Sequence, residues 1–188
     1  MRKVRVAFCG EQSVGKTTII NRFASDQFDP SKETQETVVV NCISKEVKTP
    51  EGTVHLQLWD TAGTERYRSV INNFFHKANA IVIVYDVSVR SSFEQLPYWY
   101  EFSKENNTDE AEVFIVGNKK DLQEQVSISE GYDFSKEYGA KFFITSAKTG
   151  ENIRELFERL ALVSNESTPF STDENLLANQ TSDSSVCC

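Results

Sequence analysis

Residues 4–20 read VRVAFCGEQSVGKTTII: an apolar run breaks into a glycine-bounded loop and resumes as a helical segment. Within it, Gly10-Glu11-Gln12-Ser13-Val14-Gly15-Lys16-Thr17 satisfies the pattern GxxxxGK[ST], and strand, loop, helix is the context in which that pattern carries a mechanism. Glycines let backbone N–H groups wrap phosphate oxygens, Lys16 adds a point charge, and the Thr17 hydroxyl can ligate Mg²⁺. The candidate phosphate-holding residues are therefore Gly10, Ser13, Val14, Gly15, Lys16, Thr17 and Thr18. Cys9, just before the loop, reads as a buried strand residue rather than a reactive thiol. The loop alone names a nucleotide phosphate and leaves the base open, so an ATPase or a small-molecule kinase stands as an alternative at this point.

Outward from the loop, VRVAFC, IVIVYD, EVFIVGN and KFFIT are short continuous apolar runs, as expected of parallel strands covered on both faces. Between residues 38 and 59, TVVVNCISKEV and TVHLQLW flank the turn Thr49-Pro50-Glu51-Gly52 and should pair as an antiparallel hairpin. In the second of these, Val54, Leu56 and Leu58 face one way and His55, Gln57 and Trp59 the other. Ile153, Leu156, Phe157 and Leu160 follow the spacing of a core-facing helical stripe, with Arg154–Glu158 and Glu155–Arg159 pairs available on the outer face. Ser91 to Glu94 reads as a capping box ahead of Phe93, Leu96 and Trp99, and Pro97 then kinks that helix or delays its start. The expected fold is α/β: a mostly parallel six-stranded sheet with one antiparallel edge strand and helices on both faces.

Composition sets outer limits. The 188 residues carry 20 Lys and Arg against 28 Asp and Glu, a net charge of −8 that disfavours electrostatic capture of nucleic acid. Four of those excess negative charges fall in the final stretch, SNESTPFSTDENLLANQTSDSSVCC, which has no Lys or Arg and too little apolar content to build a core. This predicts a folded domain over residues 1–163 and a disordered tether over 164–188. The four cysteines, Cys9, Cys42, Cys187 and Cys188, match neither a zinc spacing nor a secreted disulfide framework, which fits a reducing cytosol. MRKVRVAFCG lacks the apolar core of a signal peptide, and no apolar run approaches the roughly 18 residues of a membrane span. Any membrane contact is then expected from outside the bilayer.

Three further motifs stand at strand ends, where open α/β sheets bind ligands. Trp59-Asp60-Thr61-Ala62-Gly63 follows the hairpin; Asp60 can hold Mg²⁺ through water and the Gly63 amide can reach a phosphate. Asn118-Lys119-Lys120-Asp121 closes the EVFIVG run, and Ser146-Ala147-Lys148 closes KFFIT. With these four motifs in register, residues 3–163 resemble the Ras superfamily of small GTPases, and more narrowly the Rab family. LQLWDTAG, ERYRSVINNFFHKA, IVIVYDVSVRSSF and the Cys-Cys ending carry the Rab likeness, and GEQSVGKT with VHLQLWDTAG looks most like the Rabs that act at the Golgi.

The resemblance implies GTP or GDP with Mg²⁺ as the bound group. It makes Asp121 the acceptor for the guanine N1 and N2 protons, supported by Asn118 and Lys119, and puts the Ala147 amide on guanine O6 within the Ser146-Ala147-Lys148 motif. Phe28 takes the place of the aromatic that packs on the base. Metal ligation falls to Thr17, Thr37 and Asp60, and catalysis to Lys16, Thr37, Gly63 and Thr64. Thr37 is the switch threonine counting back from Ile43-Ser44-Lys45; the loop from Phe28 runs longer than the family's, which keeps Thr34 as a competing position. Thr64 stands where relatives carry the Gln that orients attacking water, so intrinsic hydrolysis is expected to be slow. The family's effector-facing aromatic triad maps to Cys42, Trp59 and Phe74, with one aromatic lost; Trp59 and Phe74 either meet effectors or pack on each other. An exchange factor, an activating protein, a GDP-dissociation inhibitor and effectors are implied as partners of a monomer. Prenylation of Cys187 and Cys188 would hold it on the cytosolic face of a Golgi or endosomal membrane. The less active alternative is a GTP-loaded scaffold that scarcely hydrolyses.

Overall fold

A computed structural model describes residues 2–29, 41–61, 74–107 and 111–163. The elements run β1 (Arg2–Cys9), α1 (Lys16–Ser25), β2 (Asn41–Thr49), β3 (Gly52–Asp60), β4 (Ala80–Asp86), α2 (Arg90–Glu94), α3 (Leu96–Asn106), β5 (Glu112–Asn118), α4 (Ile128–Glu137), β6 (Lys141–Ile144) and α5 (Ile153–Ala161). The strands form one sheet in the order β2-β3-β1-β4-β5-β6. All neighbours are parallel except β2 and β3, whose antiparallel register pairs Thr49 with Gly52 across the Pro50-Glu51 turn. The expected α/β fold is the one observed. Because β1 lies between β3 and β4, the sheet reverses its direction of growth there, and a ligand crevice is expected beyond the carboxyl end of β1.

Side-chain alternation along β1 explains why it is apolar throughout. Val4, Val6 and Phe8 are buried in one core with Ile19 and Ile20 of α1 and with Ile153, Leu156, Phe157 and Leu160 of α5. Ala7 and Cys9 are buried in a second core with Leu96 and Trp99 of α3 and with Ile81, Ile83 and Tyr85 of β4. Helices thus cover both faces, and burial pushes the Cys9 thiol up to about 12, which leaves it protonated. Phe157 stacks on Phe23 with ring centroids 3.8 Å apart and nearly parallel planes, so the α5 stripe clamps α1 to the sheet. Truncating such a fully buried ring to alanine costs about 3–5 kcal/mol.

Three local expectations need correction or refinement. The helix after β4 has no Ser91 capping box: Val89 is its N-cap with no side-chain cap, and the Ser92 hydroxyl donates to the Val89 carbonyl. Gln95 divides the segment, so Pro97 lies in the first turn of α3, where its missing N–H costs nothing. The capping box is instead at Ser127 and Glu130, opening α4. On α5 the Arg154–Glu158 pair forms at 2.8 Å, whereas Arg159 turns away from Glu155 to Glu112 on β5, at 3.3 Å. Among the described residues, no helix is long and apolar enough to cross a membrane.

Candidate nucleotide-binding site

The loop between β1 and α1 depends on two glycines. Gly10 has φ 128°, and a Cβ there would lie 2.2 Å from the Val84 carbonyl oxygen of β4. Gly15 has φ 98°, and its Cβ would lie 2.3 Å from Asn118 Nδ2. Neither position accepts a side chain without displacing a neighbour. The space Gly15 leaves is used: Asn118 Nδ2 donates to the Val14 carbonyl at 3.0 Å, while Asn118 Oδ1 accepts from the Ala147 amide and the Thr145 hydroxyl, both at 3.2 Å. One buried amide therefore fastens the loop to both segments that follow β5 and β6.

Those segments share a cavity of about 750 Å³ with the loop, lined by Ser13, Gly15, Thr18, Phe28, Asn118, Lys119, Asp121, Ala147 and Lys148. Asp121 Oδ1 accepts a 2.6 Å hydrogen bond from Ser146 Oγ, and Lys148 Nζ lies 3.7 Å from Oδ2. Ser146 is itself fully buried, so it anchors Asp121 from behind. Ser13 and Lys119 both have positive φ, 62° and 65°; two non-glycine residues held in the left-handed region beside one cavity are strain that surrounding contacts must sustain. For Lys119 the sustaining contact is Asp86 Oδ2 at 2.9 Å. Asp86 ends β4, is buried, and accepts from the amide and hydroxyl of Ser88 through its other oxygen.

At the phosphate end, Lys16 is buried and donates to the carbonyls of Gly10 at 2.9 Å and Glu11 at 2.7 Å. Burial lowers its pKa from 10.5 to about 8, against the pull of Asp60. Thr17 Oγ1 donates to Asp60 Oδ2 at 2.6 Å, and Asp60 Oδ1 is buried with no hydrogen-bond partner among the described residues. Burial pushes the Asp60 pKa up, partly offset by Thr17 and Lys16. A desolvated carboxylate with an uncommitted oxygen beside a threonine hydroxyl is a donor set suited to Mg²⁺, which takes few protein oxygens and keeps water and phosphate as its other ligands.

Val14 places its side chain in the first core and contributes to the site through its backbone. Thr37, Gly63 and Thr64 lie outside the described residues, as do Thr34, Cys187 and Cys188. Cys42 and Trp59 are register partners across β2 and β3, and Trp59 meets Phe74 edge to face at 5.3 Å. Trp59 is partly buried against the second core, so the aromatics do pack on each other. Sequence reasoning missed Asp86 and Leu122, which also lines the cavity. Their only signal was position, at the end of the IVIVYD run and directly after Asp121.

The cavity therefore has the loop residues Ser13 and Gly15 on one side and, on the other, a carboxylate fixed as a hydrogen-bond acceptor. A carboxylate there suits a base that presents two N–H donors and leaves adenine without a matching edge. The family model for the Ras family matches residues 5–165. The chain belongs to the Ras family and is a GTP-binding P-loop GTPase switch.

Proposed function

We propose that this protein is a Rab-type switch regulating vesicle-mediated membrane traffic, with slow intrinsic GTP hydrolysis. In this reading residues 1–163 are the GTPase domain and 164–188 a tether. Gly10, Ser13, Val14, Gly15, Lys16, Thr17 and Thr18 cradle the phosphates, Asn118, Lys119, Asp121 and Ser146 to Lys148 select guanine, Phe28 packs on the base, and Thr17, Asp60 and Thr37 hold Mg²⁺. The metal, when bound, neutralises charge on the phosphate oxygens. Residues about 29–40 and 61–77 respond to the nucleotide and present effectors with a surface that includes Cys42, Trp59 and Phe74.

The observation that best supports an effector-reading switch is the largely exposed edge strand β2, on which the exposed Cys42 lies in register with Trp59 of β3, since an aromatic beside an exposed strand suits partner recognition. Exchange factor, activating protein and GDP-dissociation inhibitor are the regulators this role requires. The acidic tail has no polybasic patch, so anchoring falls to two prenyl groups on Cys187 and Cys188; one chain is marginal and two are stable. The tether gives a reach of roughly 25–30 Å from a Golgi or endosomal surface. Fractionating cells that express the full chain, with and without Cys187→Ser and Cys188→Ser, tests the placement: each substitution should move much of the protein to the cytosol. A membrane fraction indifferent to loss of both cysteines removes it.

A second reading, a GTP-loaded scaffold with little or no hydrolysis, is favoured by Thr64 in the position of the water-orienting Gln. Single-turnover hydrolysis with and without candidate activating proteins separates the two.

A further inference from the structure

Glu11 is the second residue of the phosphate-binding loop and is held at both ends. Its carbonyl oxygen accepts from Lys16 Nζ at 2.7 Å, and its carboxylate Oε1 accepts from Trp99 Nε1 at 3.1 Å. Trp99 belongs to α3 and lies 88 positions away in sequence. It is only 3% exposed, packed in the second core, and wedged edge to face between Tyr98 at 5.4 Å and Phe102 at 5.9 Å. An indole N–H can only donate, and a buried one needs an acceptor. The packing fixes where that donor points, and it points at the loop.

The two ends of Glu11 therefore do different things. The backbone end is one of two carbonyls on which the Lys16 ammonium rests; the other belongs to Gly10, whose fit against β4 is already tight. The side-chain end ties the same residue to a rigid core aromatic. Released from Trp99, Glu11 keeps its covalent place but loses the contact that orients it. Lys16 then loses a fixed carbonyl, and the loop samples positions in which its amides no longer converge.

We propose that Trp99 is a positioning residue for the phosphate-binding loop, acting through Glu11, so that α3 sets how long a nucleotide stays bound. Neither Trp99 nor the Glu11 carboxylate need touch the nucleotide for this. The proposal rests on residues 10–17 being the nucleotide-phosphate loop.

The test is dissociation of a fluorescent GDP analogue from the full chain, followed by stopped flow with excess unlabelled GDP. Glu11→Ala removes the acceptor, Trp99→Phe removes the donor while keeping an aromatic in the core, and Glu11→Gln keeps an acceptor oxygen. The net worth of one such hydrogen bond corresponds to about a fivefold change in rate. Release should accelerate about fivefold in Glu11→Ala and in Trp99→Phe, and stay within about twofold of the parent in Glu11→Gln. The double variant Glu11→Ala with Trp99→Phe should release no faster than the faster single variant, because the same contact is lost only once. Unchanged release in Glu11→Ala overturns the proposal, as does a double variant in which the two effects multiply. The Glu11 variants carry the test even if Trp99→Phe folds poorly. A parent chain that fails to bind the GDP analogue at all would overturn the nucleotide reading itself, a result distinct from either.

Discussion

Thr17 donates from Oγ1 to Oδ2 of Asp60 across 2.6 Å, joining the first turn of α1 to the carboxyl end of β3. The other Asp60 oxygen is buried and without a hydrogen-bond partner among the described residues, so a cation is the natural complement to this pair. Chelating Mg²⁺ should therefore accelerate GDP release from the parent protein by at least about tenfold, the usual scale for disturbing a metal site. In Asp60→Asn the shape persists and the charge is gone, so release with Mg²⁺ should already be fast and chelation should add less than about threefold. Dissociation rates measured with and without chelator check this. A variant as sensitive to chelation as the parent would remove Asp60 from the metal site.

Asp121 is anchored from behind by Ser146 Oγ, and an asparagine could accept the same bond through its amide oxygen. Asp121→Asn should thus leave the segment in place while presenting an N–H where the carboxylate presented an acceptor. GTP should weaken by about a hundredfold or more, and xanthosine triphosphate, whose extra carbonyl accepts that N–H, should gain relative to it. Competition titration of the two nucleotides gives the answer; an unchanged guanine preference would mean the base is read elsewhere.

Glu130 closes the capping box on Ser127 and pairs with Arg90 at the start of α2. The Arg90 bond and the two Ser127 bonds hold its pKa at about 2, below the ordinary 4.5. A depressed carboxylate contributes stability that is fully present above its ordinary pKa and is lost as pH falls from about 4.5 towards about 2. Glu130→Gln should lower the melting temperature modestly at pH 7, since the pair is solvent-exposed, and the gap from the parent should close as the pH drops below about 4.5. Melting curves from neutral to acid pH decide it. A gap that stays constant with pH would show that ionisation of Glu130 is not what stabilises α4.

What could be read from the sequence follows from how local the physics is. The parallel strands were legible because a strand covered on both faces is largely apolar, as β4 is from Ala80 to Val84, all buried. The stripe on α5 was legible because its period belongs to one helix. Ser91 misled because the spacing of a capping box recurs along the chain: both Ser91 to Glu94 and Ser127 to Glu130 have it, and of these two only the second forms the box. At the first, tertiary contact prevails: the neighbouring Ser92 is buried and its hydroxyl also accepts from the Asp86 amide. Arg159 found Glu112 rather than Glu155 for the same reason, since the nearer partner in space lies 47 positions away in sequence. In the site, residues such as Lys16, Asn118 and Asp121 were legible because motif spacing carries them. Asp86 and Leu122 were not, because each acquires its place only when the sheet brings strand ends together.

Thr64 lies outside the described residues, so its prediction rests on chemistry and on membership of the family. A threonine hydroxyl is shorter than a glutamine amide and offers one donor on a branched, restricted side chain. The amide could donate to a phosphate oxygen and accept from attacking water at once. Thr64→Gln should then gain about 1.4 kcal/mol of transition-state stabilisation and speed intrinsic hydrolysis roughly tenfold. Nucleotide affinity should hardly move, because the gain arises only as the reaction proceeds. An activating protein that brings its own Arg and Gln could mask the difference, so single-turnover rates are to be compared without any activator. Equal rates in the two forms would mean that another residue places the water, or that closure of the segment around Thr37 limits both alike; slow hydrolysis would then have a cause other than Thr64.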